Sequence, residues 1–140
     1  MPTIIVEFKV EVRATADKLW DILTDVDSWL QWQGTHFVKL SEPGRIREGS
    51  NFTVELGGLK WGLKVMKAER PNTILWVGRR LGLKAIHEWE FNEVEGKTIV
   101  TTRESMTGWI LLLTYPKARK TLSNTDEKWL NDLKVRAEST

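Results

Sequence analysis

Residues 108–116 read Gly108-Trp109-Ile110-Leu111-Leu112-Leu113-Thr114-Tyr115-Pro116, and a polar segment follows, punctuated by Ala118, Leu122, Trp129, Leu130, Leu133 and Ala137. Steps of three and four through that second part lay one apolar stripe along a helix. Lys117, Arg119, Lys120, Glu127, Lys128, Asn131, Asp132, Lys134 and Arg136 fill the other face. A helix over 118–137 is about 30 Å long. Everything upstream reads as strand, and a long one-sided helix after strands needs a sheet to lie on. The helix start stays open. Thr114 can cap it with Pro116 in the first turn, or it begins near Gly108 and kinks at Pro116. Asn124-Thr125-Asp126-Glu127 also has the form of a capping box, which allows a break near Leu122. The reading favours one helix with an irregular first third.

The chain has 140 residues, enough for one domain (1–140) with a real core. Hydrophobic residues make up 41% and charged residues 29%, a balance that indicates neither disorder nor a membrane protein. The longest apolar run, 109–113, is too short to span a bilayer, so no stable membrane insertion is expected. Met1-Pro2-Thr3-Ile4 lacks a signal-peptide profile, and a cytoplasmic location is the expectation. The absence of cysteine excludes disulfides, thiolate catalysis and cysteine-ligated metal. A formal charge of +2, spread along the chain, gives no reason to expect nucleic-acid binding. Eight tryptophans, against one tyrosine and four phenylalanines, are several times ordinary usage. An indole-rich core and an aromatic-walled cavity for an apolar ligand both fit that number.

Ile4, Val6, Phe8, Val10, Val12 and Ala14 alternate with polar neighbours and predict a long strand with one buried face. Thr15 caps a short helix reaching Asp25, with Asp17 in its first turn and Leu19, Trp20 and Leu23 on its buried side. Asp27 can cap a second short helix carrying Trp29, Leu30 and Trp32, ended by Gly34. Further strands are expected over 35–40, 51–56, 60–69, 73–78, 83–91 and 97–106. Gly57-Gly58 marks a tight hairpin, and Pro71-Asn72 a turn. Seven strands with short connections imply an antiparallel meander, and a sheet of that size curls around what covers it.

Val12-x-Ala14, Leu19-Trp20-Asp21-Ile22-Leu23-Thr24-Asp25, Trp29 and Trp32 together resemble the opening of the SRPBCC superfamily, which takes in the START, birch-pollen-allergen-like (Bet v 1-like) and polyketide cyclase/dehydrase branches. Gly49-x-x-Phe52, Glu69-Arg70-Pro71, Trp89-x-Phe91, Gly96-Lys97-Thr98 before Val100, Glu104 with Gly108, and Leu130-x-x-Leu133-Lys134 with Glu138 continue the resemblance along nearly the whole chain. It is nearest to the polyketide cyclase/dehydrase-like branch. The resemblance implies an α+β helix-grip fold: a curved seven-stranded antiparallel sheet around a long C-terminal helix, in β-α-α-β6-α order, with a cavity between them. It implies no single activity, because fold is not function.

His87 shares an alternation face with Trp89 and Phe91. If Trp89 lies opposite Val100, then Thr102 lies opposite His87 and Glu104 is a diagonal neighbour. A histidine beside a carboxylate in an apolar pocket is a candidate acid/base pair, because the carboxylate favours the imidazolium. A slip of one residue would instead send Glu104 outward. The more ordinary reading is an imidazole that satisfies a buried threonine or backbone group, or sits at a pocket mouth. The expected cavity lining is Trp61, Leu63, Trp76, His87, Trp89, Val100 and Thr102 from the sheet, with Leu122, Trp129 and Leu133 from the helix. Trp29 and Trp32 are placed near its entrance. Two histidines without cysteine give no metal site, and no nucleophile elbow, phosphate loop or dinucleotide fingerprint occurs, so no metal and no cofactor are expected. His36 reads as surface.

Three functions follow as expectations. The first is binding or transport of a hydrophobic small molecule, such as a lipid, polyketide or aromatic, by a monomer or homodimer. The second is a cyclase or dehydratase in which His87 shuttles a proton and Glu104 orients it. The third is a protein-interaction domain of the type that stimulates a heat-shock ATPase. That branch carries a Trp-Phe pair after the first helices, where this chain has Trp29-Leu30-Gln31-Trp32, which ranks it last.

Overall fold

A computed structural model describes residues 2–139. The strands are β1 (Thr3–Val12), β2 (Val38–Leu40), β3 (Asn51–Leu56), β4 (Leu59–Glu69), β5 (Thr73–Arg80), β6 (Leu83–Val94) and β7 (Lys97–Thr107). They form one antiparallel sheet in the order β1-β7-β6-β5-β4-β3-β2. Helices α1 (Ala16–Thr24) and α2 (Trp29–Trp32), joined by a 3₁₀ turn over Val26–Ser28, sit between β1 and β2; helix α3 (Leu111–Ser139) closes the chain.

The period-two pattern of the strands does what the sequence implies. Trp61, Leu63 and Val65 on β4 are buried while Lys60, Gly62 and Lys64 are exposed. The alternation then breaks at a bulge between Val65 and Lys67, after which Lys67 is exposed and Ala68 half-buried. Such bulges sharpen the bend of a strand. β2 is shorter than expected, because Thr35 turns its hydroxyl to the carbonyls of Phe37 and Glu55 instead of extending the ladder.

Thr15 caps α1 as expected, accepting a hydrogen bond from the Lys18 N–H at 3.2 Å. Asp27 does not cap α2: neither α2 nor the turn before it has a side-chain cap. Gly34, at φ +94°, ends that segment in a conformation glycine adopts at little cost.

α3 runs unbroken for 29 residues with Pro116 inside it. Its entry is tight, with the Leu111, Leu112 and Leu113 N–H groups bonding back three residues to Gly108, Trp109 and Ile110. Thr114 is not the cap, since its hydroxyl donates to the Ile110 carbonyl from within the helix. Asn124-Thr125-Asp126-Glu127 is not a helix start either; it lies mid-helix. α3 rests chiefly on β1, with smaller contacts to β7 and α1. Large side chains fill the space between it and the rest of the concave sheet face.

Candidate functional site

Those side chains are indoles. Trp29 from α2, Trp76 from β5, Trp89 from β6 and Trp129 from α3 are each 1% exposed or less. Trp129 stands 5.0 Å from Trp29, 5.8 Å from Trp76 and 5.4 Å from Trp89, centroid to centroid. Phe52, absent from the expected lining, joins the cluster 5.7 Å from Trp29 and 5.8 Å from Trp76. The expected open hollow ringed by indoles is therefore corrected: here the rings occupy the middle of the interface. Clefts of about 230, 420 and 490 Å³ lie elsewhere, along the 40–51 loop, beside α1, and on the face carrying Met66 and Val77.

His87 lies inside this aromatic cluster, 2% exposed, stacked on Trp89 at 5.1 Å and edge-on to Trp129 at 5.1 Å. The β6–β7 pairing differs from the expected register by two residues. Glu104 is directly opposite His87, Thr102 opposite Trp89, and Val100 opposite Phe91. The cause is the turn, in which Glu95 and Gly96 both have positive φ and form a two-residue hairpin loop between paired Val94 and Lys97. A shift of two preserves the faces, so the same side chains still point inward.

The His87 ring nitrogen Nε2 is 2.6 Å from Thr102 Oγ1, and Nδ1 is 3.4 Å from Glu104 Oε1. Across the interface α3 contributes Asp126, 2% exposed, whose carboxyl hydrogen-bonds that of Glu104. Burial pushes the Glu104 carboxyl well above the usual range, and neighbouring Asp126 adds to that. Burial raises Asp126 to about 6, a rise partly offset by the bond from Glu104. Burial also lowers His87 to about 3. The imidazole is thus neutral at neutral pH, because desolvation outweighs the nearby carboxyl. The expected imidazolium–carboxylate pair is corrected to a neutral imidazole beside two carboxyls that share a proton.

Three polar atoms here are left unpaired: Trp89 Nε1, Trp129 Nε1 and Asp126 Oδ2. His87, Glu104 and Asp126 each offer a donor atom within 4.8 Å of the others, the nitrogen-and-oxygen set a divalent cation takes. A shared proton between the carboxyls leaves the pair with a single negative charge.

Of the other expected residues, Leu133 is fully buried and packs in the main core, as does Val100. Trp61 and Leu63 are buried on β4, with the Arg80 guanidinium 5.6 Å from the Trp61 ring. Trp32 is half-buried, and its Nε1–H donates to Ser28 Oγ at 3.1 Å. Leu122 is not with the indoles; it packs in a separate cluster with Ile4, Val6 and Leu111.

A curved seven-stranded antiparallel sheet gripping one long C-terminal helix defines the START/Bet v 1 helix-grip class. Within that class, residues 3–138 match the family described as polyketide cyclase / dehydrase and lipid transport, and the chain belongs to it. No curated protein matches the sequence. Among solved structures it is similar to a START superfamily protein from Mycobacterium smegmatis (TM-score 0.79, 19% identity, 96% of this chain and 97% of that one). It is similar also to the Zhui aromatase/cyclase from Streptomyces sp. R1128 (TM-score 0.75, 21% identity, 98% and 94%). A third is the di-domain aromatase/cyclase BexL from the BE-7585A biosynthetic pathway (TM-score 0.81, 16% identity), of which this chain spans 51%. At these identities the likeness concerns the fold. Among the described residues, no helix is long and apolar enough to cross a membrane.

Proposed function

We propose that the chain binds a flat hydrophobic small molecule carrying a hydroxyl group, between the concave sheet face and α3. The observation that carries this reading is the trio of orphaned polar atoms, Trp89 Nε1, Trp129 Nε1 and Asp126 Oδ2, buried in an otherwise apolar interface. A buried donor or acceptor without a partner costs about 1–3 kcal/mol. An oxygen that accepts from the indole N–H groups and donates to Asp126 would relieve all three. The aromatic faces suit a planar apolar body. Room for it would come from rearrangement of the side chains around Trp129, since α3 lies mainly along β1. Membership of a family associated with hydrophobic small molecules supports the same reading.

A second reading, cyclase or dehydratase chemistry, draws on one further observation. Asp126, raised to about 6, titrates near neutrality, where a general acid/base is most effective. In that reading the Asp126–Glu104 pair moves the proton, while neutral His87, held by Thr102, positions Glu104. Native mass spectrometry of protein taken from cells tests binding. A co-purifying mass that is retained by wild type and lost in Asp126→Asn is expected; no bound mass, and no retention of any planar hydroxylated aromatic added afterwards, would count against it. Turnover of a poly-ketone by wild type and not by Asp126→Asn would favour the enzyme.

A further inference from the structure

Three segments far apart in sequence meet at one end of the molecule. The β3–β4 turn reaches α3 where a Cβ on Gly57 would stand 3.5 Å from Thr121 Cγ2. The β5–β6 turn reaches the start of α3 through Gly82, whose carbonyl accepts from the Ile110 N–H at 3.4 Å and whose α-carbon faces the Trp109 indole. This end shows water an unusual amount of apolar surface: Leu81 is 84% exposed, Leu113 81% and Leu112 71%, with Leu59, Trp109 and Tyr115 between 38% and 45%. Isolated exposed leucines need no explanation, but a group spread over three adjoining segments does.

The charge around this patch has one sign. Residues 56–68, 74–87 and 105–125 contain no aspartate or glutamate, and they present Lys60, Arg79, Arg80, Lys117, Arg119 and Lys120. Among the described residues none of these six is ion-paired with a carboxylate. The chain as a whole is only +2, so the remaining surface carries the balancing acids and the molecule is electrically polarised. A second copy would meet this end with like charge against like charge. A leucine tip, flanked by a tryptophan and a tyrosine and ringed by unopposed cations, matches the interfacial region of an anionic bilayer. There aromatic rings sit at headgroup level, short apolar side chains reach the acyl boundary, and lysine and arginine meet phosphate.

We propose that this end, formed by the 56–60 and 79–84 turns and the first three turns of α3, docks peripherally on anionic lipid membranes. The proposal is independent of the ligand reading, since it uses none of the residues in the indole cluster. Co-sedimentation with vesicles of phosphatidylcholine alone, and of phosphatidylcholine with phosphatidylglycerol, tests it.

The wild-type chain is expected to partition onto the anionic vesicles and not the neutral ones, and to be released as salt rises. Leu112→Asp with Leu113→Asp should abolish binding. These side chains are so exposed that the fold, checked by circular dichroism, should be untouched. Each removed cation should weaken partitioning about fivefold, so the triple change Lys117→Ser, Arg119→Ser, Lys120→Ser should weaken it about a hundredfold. Absence of binding to anionic vesicles would overturn the proposal, as would equal binding to both kinds or binding indifferent to the leucine changes. Self-association abolished by the same leucine changes, without vesicle binding, would assign the patch to a second copy and overturn it too.

Discussion

Glu104 on β7 and Asp126 on α3 meet carboxyl to carboxyl beside the His87 imidazole, so sheet and helix join through two buried acids. Burial favours the protonated form of both, and the folded chain therefore holds protons that the unfolded chain releases.

The sign of the pH dependence follows. For a carboxyl raised on folding, the stabilising proton uptake is complete below the ordinary carboxylate range and is lost as pH rises through the folded value. For Asp126 that window runs from 3.8 to about 6, and for Glu104 it extends higher. A shift of about two units amounts to roughly 3 kcal/mol. Urea denaturation across this window should show wild-type stability falling as pH rises, with the decline reduced in Asp126→Asn and removed when Glu104→Gln is added, which leaves the opposite slope of His87. A wild-type stability that rises through the window in step with the variants would contradict the burial of this pair.

His87 titrates across the same window with the opposite sign. Its folded value, about 3, lies below its unfolded value, so stability is lost as pH falls below 6.5. At pH 5 the loss is about 2 kcal/mol. His87→Gln, which keeps a donor for Thr102, should lack this acid limb. Because the two acids still titrate in the opposite sense, its denaturation midpoints at pH 5 and pH 7 should lie further apart than those of wild type, with the pH 5 midpoint the higher.

Trp129 is the one large α3 side chain that reaches all three other indoles. Truncation to alanine should cost about 3–5 kcal/mol and leave an apolar cavity. Added indole should fill it and recover part of the lost stability, read as a rise in melting temperature for Trp129→Ala but not for wild type. A loss under 1 kcal/mol would mean that Trp129 is not packed as described.

The junction between α3 and the β5–β6 turn depends on Gly108. A Cβ there would run into the Gly82 carbonyl and lie 2.9 Å from the Leu83 Cα, both backbone atoms that cannot swing aside. Gly108→Ala should destabilise by about 1–3 kcal/mol and shift the Trp109 emission, while Gly58→Ala, whose added methyl meets nothing within 4 Å, should leave that emission in place.

Most of the architecture could be read from periodicity. Alternation over Ile4–Val12 and Trp61–Val65 gave the strand faces, and the Leu122–Ala137 stripe gave the helix. The expected β6–β7 register is off by two because strands over 83–91 and 97–106 leave a longer connection than the two-residue Glu95-Gly96 turn. Asp126 was missed because its polarity suggested a cap. Its spacing was informative, since Leu122, Asp126, Trp129 and Leu133 follow steps of four, three and four. An acid lying on the apolar stripe is a sign of a buried partner, and Glu104, on the same strand face as Val100 and Thr102, is the matching acid. No sequence pattern records whether indoles line a space or fill it, because that depends on rotamers and on where the helix comes to rest.

The indole N–H resonances of Trp89 and Trp129 report most directly on the proposed site. In a two-dimensional nitrogen–proton spectrum titrated with 2-naphthol, both should move downfield as they gain an acceptor, while naphthalene should move neither in that direction and Asp126→Asn should blunt the response. If the two resonances stay fixed under 2-naphthol while those of surface indoles such as Trp109 shift, the buried polar trio does not receive a ligand.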